Sequence, residues 1–418
     1  MELDELHESP RLNQRQTTTE SRDEGLVEKS PCAVIDVERS ASIKSASRNL
    51  DVQQLARIAT LPGGFLTDEL RRETWPILLR KDFKSPTKQS VLDWHTLPRH
   101  RDEPQIELDV NRSFVYYPSH ESEGKLEERR AQLSDTIVAT LREHPMLCYF
   151  QGYHDIVQVL LLVLGEELAQ ATVPYLSILR IRDFMLPVLS PSFEHLQLVP
   201  AIVAAVDMDL AKHLAPAQPF FALSSTLTMF AHNIEDYQEI ARLFDFLLAH
   251  EASLSMYLYA AIIMSRRKEL FEIEPGDADM LHFTLSKLPK HIDIDNLIKR
   301  AMGIFKAHPP EKLPLRAWAK ISTHSVLKTT RSEDRDGVVS IQTLEDGITL
   351  FEKQAKRLER QAFCKHIRSS LWTYRRPIGG ICMAIFVGVL SIWIRRTEND
   401  LPALLTAKTL RVLTSWLS

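Results

Sequence analysis

Glycine is scarce, with 13 in 418 residues, about half the usual share. Long series of alternating Val-, Ile- and Thr-rich runs are missing as well. Together these absences weigh against an all-β fold and against a doubly wound nucleotide-binding sheet. Neither common Gly-rich phosphate loop is present, so the chain is not expected to bind a nucleotide by itself. The four cysteines, Cys32, Cys148, Cys364 and Cys382, lie far apart. They form neither a disulfide framework nor a CxxC metal spacing, which fits a reducing cytosol. No excess of one charge exists either: 51 Lys and Arg face 55 Asp and Glu, a formal net charge of −4. With acids and bases interleaved, there is no electrostatic footprint for nucleic acid. The first twenty residues lack the apolar core of a signal peptide.

What remains is a helical pattern. Residues 1–50 are polar and aperiodic, and are expected to be a disordered leader that buries too little apolar surface to order itself. From Asp51 two short helical patterns follow, split by Pro62-Gly63-Gly64, with Thr67 placed to cap the second. "KLEERRAQLSDTIVATLREHP" carries apolar residues at 126, 133, 137, 138 and 141, a surface helix closed by His144-Pro145. "IVQVLLLVLG" is apolar nearly all round and too short to span a bilayer, hence a buried core helix. More such segments continue to about residue 287, without a fixed-period repeat. The expectation is an all-α domain over 51–320, a polar linker over 321–340 and an amphipathic, increasingly basic helix over 341–372.

Residues 377–394, "PIGGICMAIFVGVLSIWI", carry no charge and are bracketed by Arg375-Arg376 and Arg395-Arg396. Eighteen residues at ~1.5 Å rise reach about 27 Å, enough for the hydrocarbon core of a thin bilayer. Trp372, Tyr374 and Trp393 sit where interfacial aromatics belong. A transmembrane tail anchor is expected there, with the large N-terminal domain left in the cytosol. Residues 395–418 are expected to be a short amphipathic tail lying in the interface.

Two short motifs carry the functional signal. In "IELDVNRSFVYYP" Asp109 and Arg112 stand about one helical turn apart, so they can pair on one face. Taken alone, this is a local ion pair. About forty residues on, "YFQG" sets Gln151 and Gly152 at the start of the buried helix, and glycine there lets another backbone approach closely. Alone, this is a glutamine solvating a helix end. His154-Asp155 is also a metal-ligand pair in some hydrolases, but the other His and Asp ligands are missing in any recognisable arrangement.

The two motifs in order, I-x-x-D-x-x-R (Ile106, Asp109, Arg112) and Y-x-Q-G (Tyr149, Gln151, Gly152), resemble the signature of TBC-domain Rab GTPase-activating proteins. "RRETWPILL" (Arg71, Trp75) and "RLFDFLL" (Arg242, Asp245) match in the same order, so the likeness spans about 60–290. "LRIRDFMLPVL" and "FFALSSTLTMFAHNIEDYQEIARLFDFLL" are similar to the tail-anchored, ER-associated branch of the family, except that Ser225 stands where that branch carries a tryptophan.

The resemblance implies a multi-helix TBC domain that acts in trans on the GTP form of a Rab small GTPase of ER-to-Golgi traffic. It implies Arg112 as an arginine finger and Gln151 as a glutamine finger standing in for the GTPase's own water-positioning glutamine. Asp109 then fixes the arginine's rotamer, Ile106 packs, Tyr149 packs or braces the Gln loop, and Gly152 allows close approach. No cofactor or metal is expected on this chain, because GTP and Mg²⁺ come with the partner. The expected partners are a Rab and, through 377–394, an ER or early secretory membrane. The alternative is a membrane-tethered module that binds a Rab without accelerating hydrolysis.

Overall fold

The computed structural model describes residues 31–79, 93–119, 121–332, 336–340 and 342–397. Among the described residues every regular element is helical, with one isolated antiparallel bridge between His250 and Val338. The first seven α-helices are α1 (Pro31–Arg48), α2 (Val52–Thr60), α3 (Asp68–Leu79), α4 (Glu103–Val110), α5 (Glu123–Glu143), α6 (Tyr153–Leu164) and α7 (Glu166–Leu179).

Their limits follow from capping chemistry. Asp51 accepts from the Gln54 backbone N–H at 2.9 Å and opens α2. Thr67 Oγ1 accepts from the Leu70 N–H at 3.5 Å ahead of α3. Helix α5 stops at Glu143, since the proline at 145 pushes residue 144 out of the helical region. Helix α6 buries nearly every side chain from Tyr153 to Leu164, because α3, α5 and α7 pack round it. Helices Tyr237–Ala249, Leu254–Ser265 and Ile294–Ala307 continue the same core.

A buried carboxylate ties the first part of the domain to the later part. Asp245 accepts from Arg71 Nε at 3.0 Å, from Trp75 Nε1 at 2.8 Å and from the Phe65 N–H at 3.1 Å. Arg242 donates to the carbonyls of Ala59 and Leu61 and to Asp295. The two outlying motif matches therefore meet in one scaffold network.

The structure corrects three expectations. Residues 31–48 of the expected disordered leader form α1, which buries Ile43 and Ala46 against α2 and α3. Two well-placed apolar side chains suffice where composition alone reads as polar. Residues 1–30 lie outside the described residues. The expected linker at 321–340 is largely packed into the body. Ser325 Oγ sits 3.1 Å from His195 Nε2, Val326 N–H donates to Asp183, Arg331 pairs with Glu251, and Val326, Leu327 and Val338 are buried. Its polar residues serve buried partners rather than solvent. The basic helix does not end at 372 either, but runs unbroken from Leu344 to Thr397. Gly347 lies flat against α7, where a Cβ would stand 2.5 Å from Ile178 Cγ2.

Among the described residues no helix is long and apolar enough to cross a membrane. The side chains at 377–382 and 394 of the expected span, and residues 398–418 of the expected amphipathic tail, lie outside the described residues. From 383 to 393 large apolar side chains stand exposed, including Met383, Phe386, Val389, Ile392 and Trp393.

Candidate functional site

Helix α4 and the turn before α6 are brought side by side. Glu103, near the start of α4, accepts from Arg142 of α5 at 2.7 Å and 3.0 Å. Asp102 Oδ2 accepts from the Tyr149 backbone N–H at 2.8 Å. With both elements anchored, their functional residues face one open cleft of about 760 Å³.

Asp109 is the hub. Its carboxylate is fully buried and accepts from Arg112 Nη2 at 2.6 Å, from Gln105 Nε2 at 3.0 Å and from Tyr149 Oη at 2.9 Å. Ile106, one turn back, is fully buried and fixes the face of α4 that carries the acid. Arg112 is thereby held at one edge, with Nε on the Leu108 carbonyl at 3.3 Å, while its side chain stays 65% exposed and lines the cleft. A guanidinium oriented on one edge and open on the other is prepared to meet an anion without losing much rotamer freedom on contact.

Burial and the neighbouring Asp109 push the Tyr149 hydroxyl far above its ordinary pKa, so it keeps its one proton. Given to Asp109, that proton leaves the oxygen as acceptor for His154 Nδ1 at 3.2 Å. Tyr149 thus braces the acid of the other motif as well as its own turn.

Gln151 is exposed and lines the same cleft as Arg112. The turn that presents it closes on Gly152, whose φ of 98° suits glycine. A Cβ at 152 would lie 2.6 Å from Thr228 Cγ2, so close approach is a requirement here. Arg112, Tyr149, Gln151 and Gly152 therefore line one cleft, with Asp109 buried beneath Arg112 and Tyr149 and Ile106 packed in the core behind it.

Residues 68–271 match the Rab-GTPase-TBC domain. The chain is 35% identical over 288 residues to TBC1 domain family member 20 of Bos taurus, covering 68% of this chain and 70% of that protein. It is 33% identical over 324 residues to the GTPase-activating protein gyp10 of Schizosaccharomyces pombe, covering 76% of this chain and 84% of that one. TBC1 domain family member 20 of Homo sapiens is 36% identical over 274 residues, 65% of this chain and 67% of that one. This chain belongs to the Rab-GTPase-TBC family.

The TBC cleft holds residues that motif reading passed over. Asp155, read at first only as half of a possible metal pair, places Oδ2 at 2.9 Å from His232 Nδ1 and Oδ1 at 3.3 Å from His154 Nε2. Burial holds the His154 imidazole below its ordinary range, while the hydrogen bond to Asp155 raises His232. Among the described residues no group of three or more His, Cys, Asp or Glu is arranged to hold a metal ion. Asp155 was within reach of sequence reasoning, since it lies on the first turn of α6 only three residues past Gly152. Thr228 and His232 had no local signal, because a fold contact across more than seventy residues brings them there. Ser225, the position that departs from the tail-anchored branch, is fully buried and donates to Asn233 Oδ1 at 2.9 Å.

Proposed function

We propose that this chain accelerates GTP hydrolysis by a Rab GTPase, with Arg112 as the charge-stabilising finger and Gln151 as the group that orients the attacking water. The observation that carries this reading is the shared carboxylate. Asp109 accepts from the arginine of one motif and the tyrosine of the other, and both finger residues open onto the same cleft. A small GTPase is slow because its site leaves charge on the transferring phosphoryl group unneutralised and water unheld. An arginine supplied in trans is worth ~10³–10⁵ in rate. The planar fork of Arg112 bridges phosphate oxygens in a way a lysine would not. Nucleotide and Mg²⁺ belong to the GTPase.

The resemblance of the 179–189 and 220–248 segments to the tail-anchored, ER-associated branch of the family is what supports a Rab of ER-to-Golgi traffic as substrate. The run of exposed apolar side chains at 383–393 supports a membrane anchor at 377–394, which would hold the cleft on the cytosolic face of an early secretory membrane. The test is single-turnover hydrolysis by a panel of purified GTP-loaded Rabs with the full chain in detergent micelles. Arg112→Ala and Gln151→Ala are each expected to lose at least ~10²-fold in rate while still binding the GTP form. Wild-type acceleration in both variants would remove the two-finger assignment, and Rab binding with no acceleration by the wild-type chain would instead make it a non-catalytic binding module.

A further inference from the structure

The wall that presents Gln151 is built from two pieces of chain, and only one belongs to the signature motifs. The second is 228–233. Its backbone is unusual: Met229 and Phe230 are consecutive left-handed residues, with φ of 51° and 67°, and both are buried. Large side chains seldom adopt that conformation, and where they do the surroundings enforce it. Here the surroundings are explicit. Phe230 N–H donates to the Ser225 carbonyl, Thr228 Oγ1 donates to the Ser224 carbonyl at 2.8 Å, and Tyr117 Oη donates to the Ala231 carbonyl at 3.2 Å. Ser225 Oγ secures Asn233 next door.

What this enforced segment delivers to the cleft is Thr228 against Gly152 and His232 against Asp155. We propose that His232, acting through Asp155, is a positioning residue for Gln151. The inference rests on the two-finger reading above and adds a residue outside both motifs.

The cleft is proposed to receive a triphosphate, yet it has one carboxylate in its lining, Asp155, and another, Asp109, buried behind Arg112. Asp109 is answered by Arg112. Asp155, four residues from the glutamine, would keep without His232 only the His154 Nε2 contact at 3.3 Å, from an imidazole whose charged form burial disfavours. A carboxylate there would repel the incoming phosphate oxygens and draw the Gln151 amide toward itself. The titratable and charged groups that face His232 are Asp155 and His154 of α6, with Arg112 acting on His154 alone. Because the Asp155 hydrogen bond raises His232, the charged pair is complete below the ordinary imidazole value of 6.5 and is lost as pH climbs through the raised value.

The experiment uses the full chain in detergent micelles and the GTP-loaded Rabs that the wild-type chain accelerates. Rates are expressed as acceleration over each Rab's own hydrolysis at the same pH. His232→Phe is expected to lower the maximal single-turnover rate roughly 10- to 100-fold with little change in the half-saturating concentration. His232→Gln keeps a hydrogen-bond donor without a titratable charge. It should fall between the two, and its acceleration should no longer decline between pH 6.5 and 9 as the wild type's does. Asp155→Asn should match it in losing that pH dependence.

A wild-type maximal rate in His232→Phe would overturn the proposal, as would a loss confined to half-saturation, which is a docking effect. If the Phe variant fails to fold, the Gln and Asn variants decide, and a wild-type pH profile in both would overturn it. Failure of the finger reading is separately visible, because Arg112→Ala would then accelerate hydrolysis like the wild type.

Discussion

Asp109 makes a sharp demand on chemistry because three donors converge on a carboxylate with no access to water. Its replacement by Asn keeps the size but turns one acceptor oxygen into a donor, which then faces a donor already there. One of the groups from Arg112, Gln105 and Tyr149 is left unsatisfied, at a cost of about 1–3 kcal/mol. Asp109→Asn is therefore expected to lower the melting temperature by several degrees and to reduce the accelerated rate more than Tyr149→Phe does. The tyrosine variant removes only one donor and leaves the arginine paired. Thermal denaturation beside single-turnover hydrolysis checks the order, and equal rates for the two variants would mean that Arg112 is not oriented by this acid.

Gly152→Ala belongs to the same scale. It forces an L side chain to a φ of 98° and drives a methyl to 2.6 Å from Thr228 Cγ2. The strain is on the order of 1–3 kcal/mol before any clash is relieved. Thr228→Ser removes the methyl that the new Cβ would meet. The double variant Gly152→Ala/Thr228→Ser should recover part of the lost stability but not all of it, since the backbone penalty remains. Full recovery, read from the melting temperature, would show that φ carries no cost at this turn.

Among the elements, α4 depends most on a single contact. Glu103 is held down to a pKa of about 2, chiefly by its hydrogen bonds from Arg142, with Arg99 and the His100 N–H assisting. An acid depressed in this way stabilises the fold fully above its ordinary value of 4.5 and loses that contribution as pH falls from there toward about 2. Glu103→Gln should cost about 2 kcal/mol at pH 7. It should also flatten the loss of stability between pH 5 and pH 2.5, measured by thermal melts across that range. An unaltered acid limb in the variant would place the pH dependence elsewhere.

The helices show what their sequence could and could not announce. Helices α2, α3, α5 and α6 stand where caps, breakers and periodicity placed them, because those signals act within a turn or two of the residues that carry them. The hub of the site was legible for the same reason: Asp109 and Arg112 are a turn apart, and Gln151 sits beside its own glycine. Helix α1 and the segment after 320 were hidden, because a few apolar side chains dock them onto distant parts of the core. The strained 228–233 segment was hidden for a stronger reason. Left-handed Met229 and Phe230 contradict local preference, and they are held by turn bonds back to Ser225 and Thr226 together with burial and the long-range bond from Tyr117 to the Ala231 carbonyl.

On the scale of the whole molecule, the helix from Leu344 to Thr397 connects the TBC body to the apolar run. Fifty-four residues at ~1.5 Å give a rod of about 80 Å. Its first turns are seated on α7 by Gly347, Ile348, Phe351 and Leu358, and its far end exposes apolar side chains. If the membrane anchor proposed above holds the far end, a rod gripped at the other would set the height of the cleft above the bilayer and would select for a substrate confined at that height.

Two consequences separate this from a floppy tether. Gly347→Leu forces the helix off Ile178 and Leu179, an overpacking cost of about 1–3 kcal/mol. It should open the 342–358 region to limited proteolysis while leaving acceleration in detergent unchanged. On vesicles, the full chain should activate a lipidated Rab in the same bilayer at roughly 10²-fold lower protein than a chain ending at residue 369. With an unlipidated Rab in solution the two should be equal. Equal potency on vesicles would leave the apolar end without a tethering role. Full-chain potency retained by Gly347→Leu on vesicles would mean that confinement alone, and not the seated rod, brings the cleft to its substrate.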